Sequence, residues 1–551
     1  MFIRAKKRDD KTYLLIVENT RVGKKIEQTT LASLGRLDRL HENGQLDALL
    51  ASLGRFSEKL AVLGAVERGE TVSIATRHIG PALIFERLWR ELDVGQVIKE
   101  IIGDRKFEFC VERAIFLTVL HRLFDPGSDR AAEKWKENQD IPGVQDLALH
   151  HLYRTMAWLG QALPLREQRP LRSLMPRCIK DRIEEELFDR RRDLLTTLDM
   201  VFFDTTSIYF EGEGGETMGE RGFNKDHRPD LRQLVVGMVL DNDGTPICSE
   251  IWPGNATDVK SLLPVAERLR QKFAVERPCL VADRGMISKE TMKELERQQW
   301  PYILGVRMRQ DEKLKAELGR QADYEEIYPK GLKKKDPSPL KVREAMVNGR
   351  RCVICLNEDQ ATKDRHDREA IVASLEDALQ QGDKSLIGNK GFRRYVAAHG
   401  EHFTIDQEKI QQEALYDGQW VLVTNTNLPA REVALKYKQL WMVEDVFRSM
   451  KSLLSTRPIW HKCDETIIGH VFCSFLALLL RKRLQDRLEE KGWHMEWNDV
   501  IRDLNELVEM EIIVQGKGYV IRSETKGGAG KVAQACGVAL PPVLRACDSN
   551  H

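Results

Sequence analysis

Three carboxylates in this chain are spaced so that they could act together. Asp204 closes the apolar run "LDMVFFD", and Asp283 closes the shorter run "PCLVAD". Short apolar runs bounded by turn residues read as buried strands, and in open α/β sheets functional groups gather at the C-terminal ends of strands. On neighbouring strands these two acids would repel unless a cation sat between them, and an all-oxygen donor set favours Mg²⁺ or Mn²⁺. A third acid, Glu444, lies in "YKQLWMVEDVFRSMK", with Tyr437 seven residues before it and Lys451 seven after. On one helix that spacing puts all three on a single face, and leaves Trp441, Met442, Val443, Val446, Phe447 and Met450 to pack the rest. With Glu444 completing the cluster, two hard cations about 4 Å apart would activate a water or hydroxyl and stabilise the leaving oxygen in phosphoryl transfer. Taken singly, each acid could equally be a strand-end turn or a helix cap.

The elements that must position these residues follow from hydrophobic periodicity. Residues 1–45 alternate with period two around a turn near Val22-Gly23, which predicts a small β unit. Residues 46–195 have helical spacing. Within them, "VERAIFLTVLHRLFDPGSDRAAEKW" reads as helix, turn, helix with Ser128 as cap. Ser128 to Asn138 is then either a DNA recognition helix or one arm of an ordinary helical hairpin. Residues 196–307 read as three strands, a helix capped by Asp258, a strand, a helix and a strand. That order predicts a mixed sheet whose later strands are joined by helical crossovers. Residues 308–422, with "NG" and "DG" turns and short strands, read as a β-rich insertion. The α/β core resumes over 423–490 with the helix carrying Glu444. Residues 491–551 form a C-terminal region in which "MEIIVQGKGYVIRSE" predicts a hairpin and "TKGGAGK" a flexible tail. This region is either a subunit contact or a cap on the core.

Composition bounds the class of protein. The chain has 551 residues, 42% hydrophobic and 31% charged, which fits a soluble protein of two to four domains. Its net charge of +1 does not mark a nucleic-acid binder, so such a partner requires local basic patches. One is available: residues 327–351 hold eight Lys or Arg against two acids, among them Lys333, Lys334 and Lys335. This run is either a solvated loop or a phosphate contact. The start "MFIRAKKRDD" lacks the apolar core of a signal peptide, and the longest apolar run, "IIGHVFCSFLALLL", is too short to span a bilayer. The expected setting is the cytoplasm, near the nucleoid. Cys352 and Cys355 have metal-like spacing, but no second pair matches them, so reduced, packed thiols are expected.

Four segments in order, "FFDTTSIYFEG", "NKDHRPDLRQLVVGMVLD" with "WPGNATDVKSL", "VADRG" and "YKQLWMVEDVFRSMKS", resemble the catalytic segments of bacterial insertion-sequence DDE transposases. The last is similar to the signature helix Tyr-x2-Arg-x3-Glu-x6-Lys of one large group within them. The resemblance covers roughly Leu198 to Leu480. It implies a ribonuclease-H-like mixed sheet interrupted by the β-rich insertion, preceded by the small β unit and a mainly helical DNA-binding region. It further implies that Asp204, Asp283 and Glu444 are catalytic and hold two Mg²⁺ ions, with Mn²⁺ as substitute, and that Tyr437 and Lys451 contact DNA phosphates. The arginine of the signature falls at Leu440, which cannot bind phosphate, so that role is lost or passes to Lys438 or Arg448. Arg284, Lys225, His227 and Arg228 are further DNA-contact candidates, each with a structural alternative as a solvated or carboxylate-paired group. Trp300, Tyr302 and Trp420 are candidates to hold a flipped base, or else are buried aromatics. The implied function is binding of the element's terminal inverted repeats, hydrolytic cleavage, and joining of the 3′-OH ends to target double-stranded DNA, by a homodimer on DNA. Two alternatives are a nuclease of the same fold without strand joining, and a non-catalytic DNA-binding derivative.

Overall fold

The computed structural model describes residues 1–22, 25–54, 62, 72–168, 175–192, 198–222, 228, 230–273, 275, 277–327, 340–380, 391–399, 402–514 and 517–546. These divide into two compact units, one formed by residues 1–80, 503–529 and 539–551, the other by residues 81–502 and 530–538.

The first unit opens with the alternating segments. Strands β1 (Phe2–Arg8), β2 (Lys11–Val22) and β3 (Lys25–Arg36) form an antiparallel meander. A fourth strand, β4 (Val72–His78), falls inside the stretch read from sequence as helical. Its partner comes from the far end of the chain, as described below.

In the second unit, helices lead into the sheet. Helix α1 (Val111–Phe124) is almost wholly buried. After a break at 125–128 comes α2 (Asp129–Trp135), capped by the Ser128 hydroxyl, which accepts from Ala131 N at 3.2 Å. The expected recognition helix is therefore one short α-helix continued by a 3₁₀ turn to Asn138, and it turns Asp129 and Ala132 into the core. Helices α3 (Leu149–Gly160) and α4 (Ile179–Arg191) follow.

The sheet strands are β5 (Met200–Tyr209), β6 (Gln233–Leu240), β7 (Pro246–Pro253), β8 (Cys279–Ala282), β9 (Tyr302–Gly305), β10 (Glu325–Ile327), β11 (Leu340–Val347) and β12 (Arg350–Asn357). A separate hairpin, β13 (Val396–His399) with β14 (His402–Ile405), precedes β15 (Gln419–Thr424). One nine-stranded sheet results, in the order β10-β11-β12-β15-β9-β8-β5-β6-β7. β5, β8 and β9 run parallel; β6 is antiparallel to β5, and β7 to β6. Crossover helices α5 (Leu262–Lys272) and α6 (Lys289–Arg297) cover one face, where Leu262, Val265, Leu269 and Leu295 pack on Val201 and Phe203 of β5.

The insertion differs from the β-rich module expected over 308–422. Strands β10 to β12 extend the main sheet, because β12 pairs along its length with β15 (Arg351↔Thr424 through Leu356↔Gln419). The insertion also contains a 23-residue helix, α7 (Glu358–Gln380), which buries Leu375 and holds the turn before β15, where Gly418 N donates to Asp364 at 2.8 Å. β12 is buried at Cys352–Cys355, and a buried strand needs ladder partners on both sides. Cys352 and Cys355 are accordingly buried, free thiols.

After β15 come α8 (Ala430–Lys438), α9 (Trp441–Arg448) and the long, buried α10 (Asp464–Glu489). No described helix is long and apolar enough to cross a membrane. Back in the first unit, β16 (Val508–Val514) and β17 (Lys517–Arg522) form the expected hairpin; β16 also pairs with β4, and β17 with β18 (Leu544–Ala546). The glycine-rich stretch runs into a helix, Ala529–Ala535, rather than a flexible tail: Gly530 lies inside the helix, within the alanine-rich "AGKVAQA".

A buried ionic network ties α4 to the outer strand β7 and to α5. Lys180 donates to Asp181 at 2.6 Å and to Ser249 O at 2.6 Å; Arg268 reaches Glu184 at 2.8 Å and Glu250 at 2.7 Å; Ser249 donates to Glu184 at 2.6 Å. Glu184 is fully buried. Glu184→Ala would leave Lys180 and Arg268 short of a counter-charge, so we expect a loss of about 3–5 kcal/mol of unfolding free energy, read from the urea midpoint. An unmoved midpoint would mean that this network does not secure α4 to the sheet.

Candidate active site

The parallel pairing of β5 with β8 decides where the two aspartates lie. The register ends at Phe203↔Ala282, so Asp204 and Asp283 are the next residues on adjacent strands, whose backbones run about 4.8 Å apart. Asp204 stays in β5, and its Oδ1 accepts from its neighbour's main chain, Thr205 N, at 2.7 Å. Asp283 leaves the sheet as the residue that caps a 3₁₀ turn, Arg284–Met286.

Tyr437 closes the site from the opposite side. Its hydroxyl donates to Asp283 Oδ1 at 2.9 Å. Burial first, and then the charge of and hydrogen bond to Asp283, hold the phenol well above its ordinary range, with a smaller contribution from Asp204. The hydroxyl is thus a fixed donor at neutral pH. Its reach depends on Gly305 at the end of β9: a Cβ there would come within 2.5 Å of Tyr437 Oη. Nothing near Gly305 in the chain marks it, because its role depends on a side chain from a distant helix.

Tyr437, Glu444 and Lys451 do not share one straight helix. α8 ends at Lys438, and α9 starts at Trp441. Between them the backbone tightens into i→i−3 hydrogen bonds, from Gln439 N to Lys436 O through Val443 N to Leu440 O. Lys451 then sits in a π-helical turn, Ser449–Leu453. Leu440 is buried, which accounts for an apolar residue where the signature has arginine. Trp441, expected to pack inside, is 61% exposed, because the break turns it outward. Glu444 is exposed, and no hydrogen bond or ion pair to it forms among the described residues. α9 packs on β5 and β6. Among the described residues no three His, Cys, Asp or Glu side chains gather closely enough to hold a metal ion.

The basic candidates separate into groups. Arg284 is exposed beside Asp283, and Arg307, unnoticed in the sequence, donates to Gly285 O at 3.4 Å. Arg448 is exposed, 3.5 Å from Asp445. Arg228 pairs with Asp230 at 2.8 Å and lies over the Tyr209 ring, which Arg457 also approaches. Lys225, His227, Lys333, Lys334 and Lys335 lie outside the described residues. The described part of the basic run is locally neutralised: Lys341 pairs with Glu358, Arg343 with Glu317, Arg350 with Glu296 and Arg351 with Glu344. Trp300 and Tyr302 are fully buried, and Tyr302 donates to Glu296 at 2.9 Å, so neither ring is available to a flipped base. Trp420 is half-buried on β15.

Comparison with protein families decides the class. The model of the transposase DDE domain matches residues 196–480, slightly more than half of the chain. The chain belongs to the DDE transposases. A second model, the IS1634 family transposase N-terminal domain, matches residues 3–67, so this is an insertion-sequence transposase. No curated protein matches it. The family carries DNA as its partner and uses divalent metal ions. The donor chemistry of this transposase fits such ions: two adjacent carboxylates plus an exposed, unpartnered glutamate are hard oxygen ligands suited to Mg²⁺ or Mn²⁺.

Removing the Tyr437 donor isolates its role. Tyr437→Phe should lower strand cleavage about 10- to 100-fold, the range set by one hydrogen bond to a charged acceptor. Gly305→Ala should give a similar loss, since the added methyl displaces the hydroxyl. Full cleavage rates in both variants would separate Tyr437 from the aspartate pair.

Proposed function

We propose that this transposase binds the terminal inverted repeats of its element, hydrolyses one strand at each end to release a 3′-OH, and joins that hydroxyl to target DNA. The observation that carries this reading is the juxtaposition of Asp204 and Asp283 on adjacent parallel strands, with Glu444 on a helix packed against β5 and β6. The strand order β7-β6-β5-β8-β9, with only β6 reversed, supports a ribonuclease-H-like core. The strands beyond β9 are an elaboration of that sheet.

In this reading Asp204, Asp283 and Glu444 hold the divalent ions, Mg²⁺ or Mn²⁺ and two per site, which when bound supply charge neutralisation at the reacting phosphate. Tyr437 orients Asp283. Arg284, Arg448 and Lys451 lie on the elements around the pair and bind backbone phosphates of the scissile strand; Arg228 and the segment holding Lys225 and His227 bind the flanking DNA. Hydrolysis and joining are both in-line displacements at phosphorus and need no covalent enzyme intermediate. The N-terminal unit and the helical region preceding the sheet recognise the element's ends. The loop carrying Lys333, Lys334 and Lys335 adds contacts to phosphates without sequence preference. Two ends must meet one target, so the working assembly is a dimer on DNA, with the β16–β17 hairpin as a candidate contact. It acts in the cytoplasm, on the nucleoid.

The test is cleavage and joining of a labelled fragment bearing the element's ends in Mg²⁺. Asp204→Ala, Asp283→Ala and Glu444→Ala should each abolish both steps while leaving the fold and DNA affinity near those of the wild type. Near-normal cleavage by any one variant removes that residue from the site. Cleavage without joining by the wild type would make the protein a nuclease.

A further inference from the structure

A fourth carboxylate touches this site from the other side of the sheet. Alternation along β5 sends the side chains of Asp204 and Thr205 to opposite faces. Thr205 is 1% exposed and contacts both aspartates that flank it: its main-chain N–H donates to Asp204 Oδ1 at 2.7 Å, and its Oγ1 donates to Asp258 Oδ1 at 2.7 Å. Asp258 was expected to cap the crossover helix. Instead it opens a separate 3₁₀ turn, Asp258–Lys260, ahead of α5, and its carboxylate faces the sheet.

The second oxygen of Asp258 faces the turn that carries Asp283. A Cβ built on Gly285 would lie 3.4 Å from Asp258 Oδ2 and 4.0 Å from Asp283 Oδ2. Both carboxylates therefore border the same small volume, which the glycine leaves open. One residue thus reaches both halves of the aspartate pair, through Thr205 on one strand and across Gly285 on the other. Nothing about Asp258 requires a carboxylate for helix capping, since Ser261 and the turn's own main chain begin α5.

We propose that Asp258 is a positioning residue: through Thr205 Oγ1 it fixes the stretch of β5 whose N–H orients Asp204, and so sets the affinity of the aspartate pair for a divalent cation. This rests on the reading of Asp204 and Asp283 as cation ligands. The chemistry it serves is unchanged; what Asp258 and Thr205 add is the preorganisation of a ligand that would otherwise rotate about its Cα–Cβ bond.

The experiment measures Mn²⁺ binding to the full-length protein without DNA, by calorimetry and by the electron paramagnetic resonance signal of free Mn²⁺, alongside circular dichroism of each variant. Asp258→Ala and Thr205→Val should each weaken binding by about tenfold, as second-layer partners of metal ligands do. Thr205→Ser, which restores the hydroxyl, should return it to within about twofold. The Mg²⁺ concentration for half-maximal cleavage should rise in the same two variants, with a smaller change in the saturated rate. Wild-type Mn²⁺ affinity in both Asp258→Ala and Thr205→Val, when Asp204→Ala abolishes binding, overturns the positioning role and leaves the catalytic reading standing. Unchanged affinity in Asp204→Ala overturns the cation-ligand reading itself, and this inference with it. Should Thr205→Val fail to fold, Asp258→Ala, altered at a less buried position, decides the question alone.

Discussion

Two carboxylates held side by side by one ladder of backbone hydrogen bonds govern the rest of this site. β5 and β8 pair in parallel up to Phe203↔Ala282, and that register starts Asp204 and Asp283 from neighbouring backbone positions. At roughly 5 Å and an effective dielectric near 20, two such charges repel by about 3 kcal/mol. Hydrogen bonds to ionised acceptors return about 1.5–3 kcal/mol each. The donors present, Thr205 N on Asp204 and Tyr437 Oη on Asp283, are of the size needed to offset the repulsion. The glycines follow from the same constraint. Gly305 admits the tyrosine hydroxyl, and Gly285 leaves open the volume between Asp258 and Asp283. Thr205 N and Tyr437 Oη each take one oxygen of an aspartate, and acidic oxygens brought this close favour a cation, the property a metal-dependent phosphoryl-transfer site needs.

Charge elsewhere is handled in the opposite way. The basic residues of the sheet extension are each matched by a glutamate, and the Lys180–Arg268 network is matched and buried. Positive charge at the site comes instead from exposed arginines on its rim, Arg284 and Arg307. This distribution explains how a chain of net charge +1 can belong to a family that binds DNA: the relevant field is local, and the overall balance averages it away.

The helical segment over 430–453 shows how far a spacing argument depends on a straight backbone. A seven-residue spacing on a straight helix places Tyr437, Glu444 and Lys451 on one face. The actual backbone overwinds between Lys436 and Val443, where bonds close at i→i−3, and underwinds in the π turn at Ser449–Leu453. Those distortions rotate the residues in opposite senses. Tyr437 ends half-buried against Asp283, Glu444 exposed and Trp441 outside. Backbone irregularities of this kind are set by what the helix packs against, so side-chain periodicity does not record them.

The sequence by itself determined the apolar strands that carry or precede Asp204 and Asp283, the crossover helix between them, a small β unit at the start and the hairpin near the end, but it ended the first strand at Asp204, where β5 runs on to Tyr209. Each is a local property: apolar runs, period-two alternation and turn residues act over a few positions. The acids, too, stood out as candidates, because a carboxylate within or just after a buried apolar run differs from its neighbours. What needed the tertiary structure were the pairings between distant segments. β4 joined β16, and the supposed insertion joined the main sheet through β12 and β15. Thr205 bonded to Asp258, and Gly305 made room for Tyr437. No window along the chain contains both members of such a pair. Their energies come from ladder hydrogen bonds and side-chain contacts that exist only once the sheet has chosen its strand order, and that choice is made by the whole core at once.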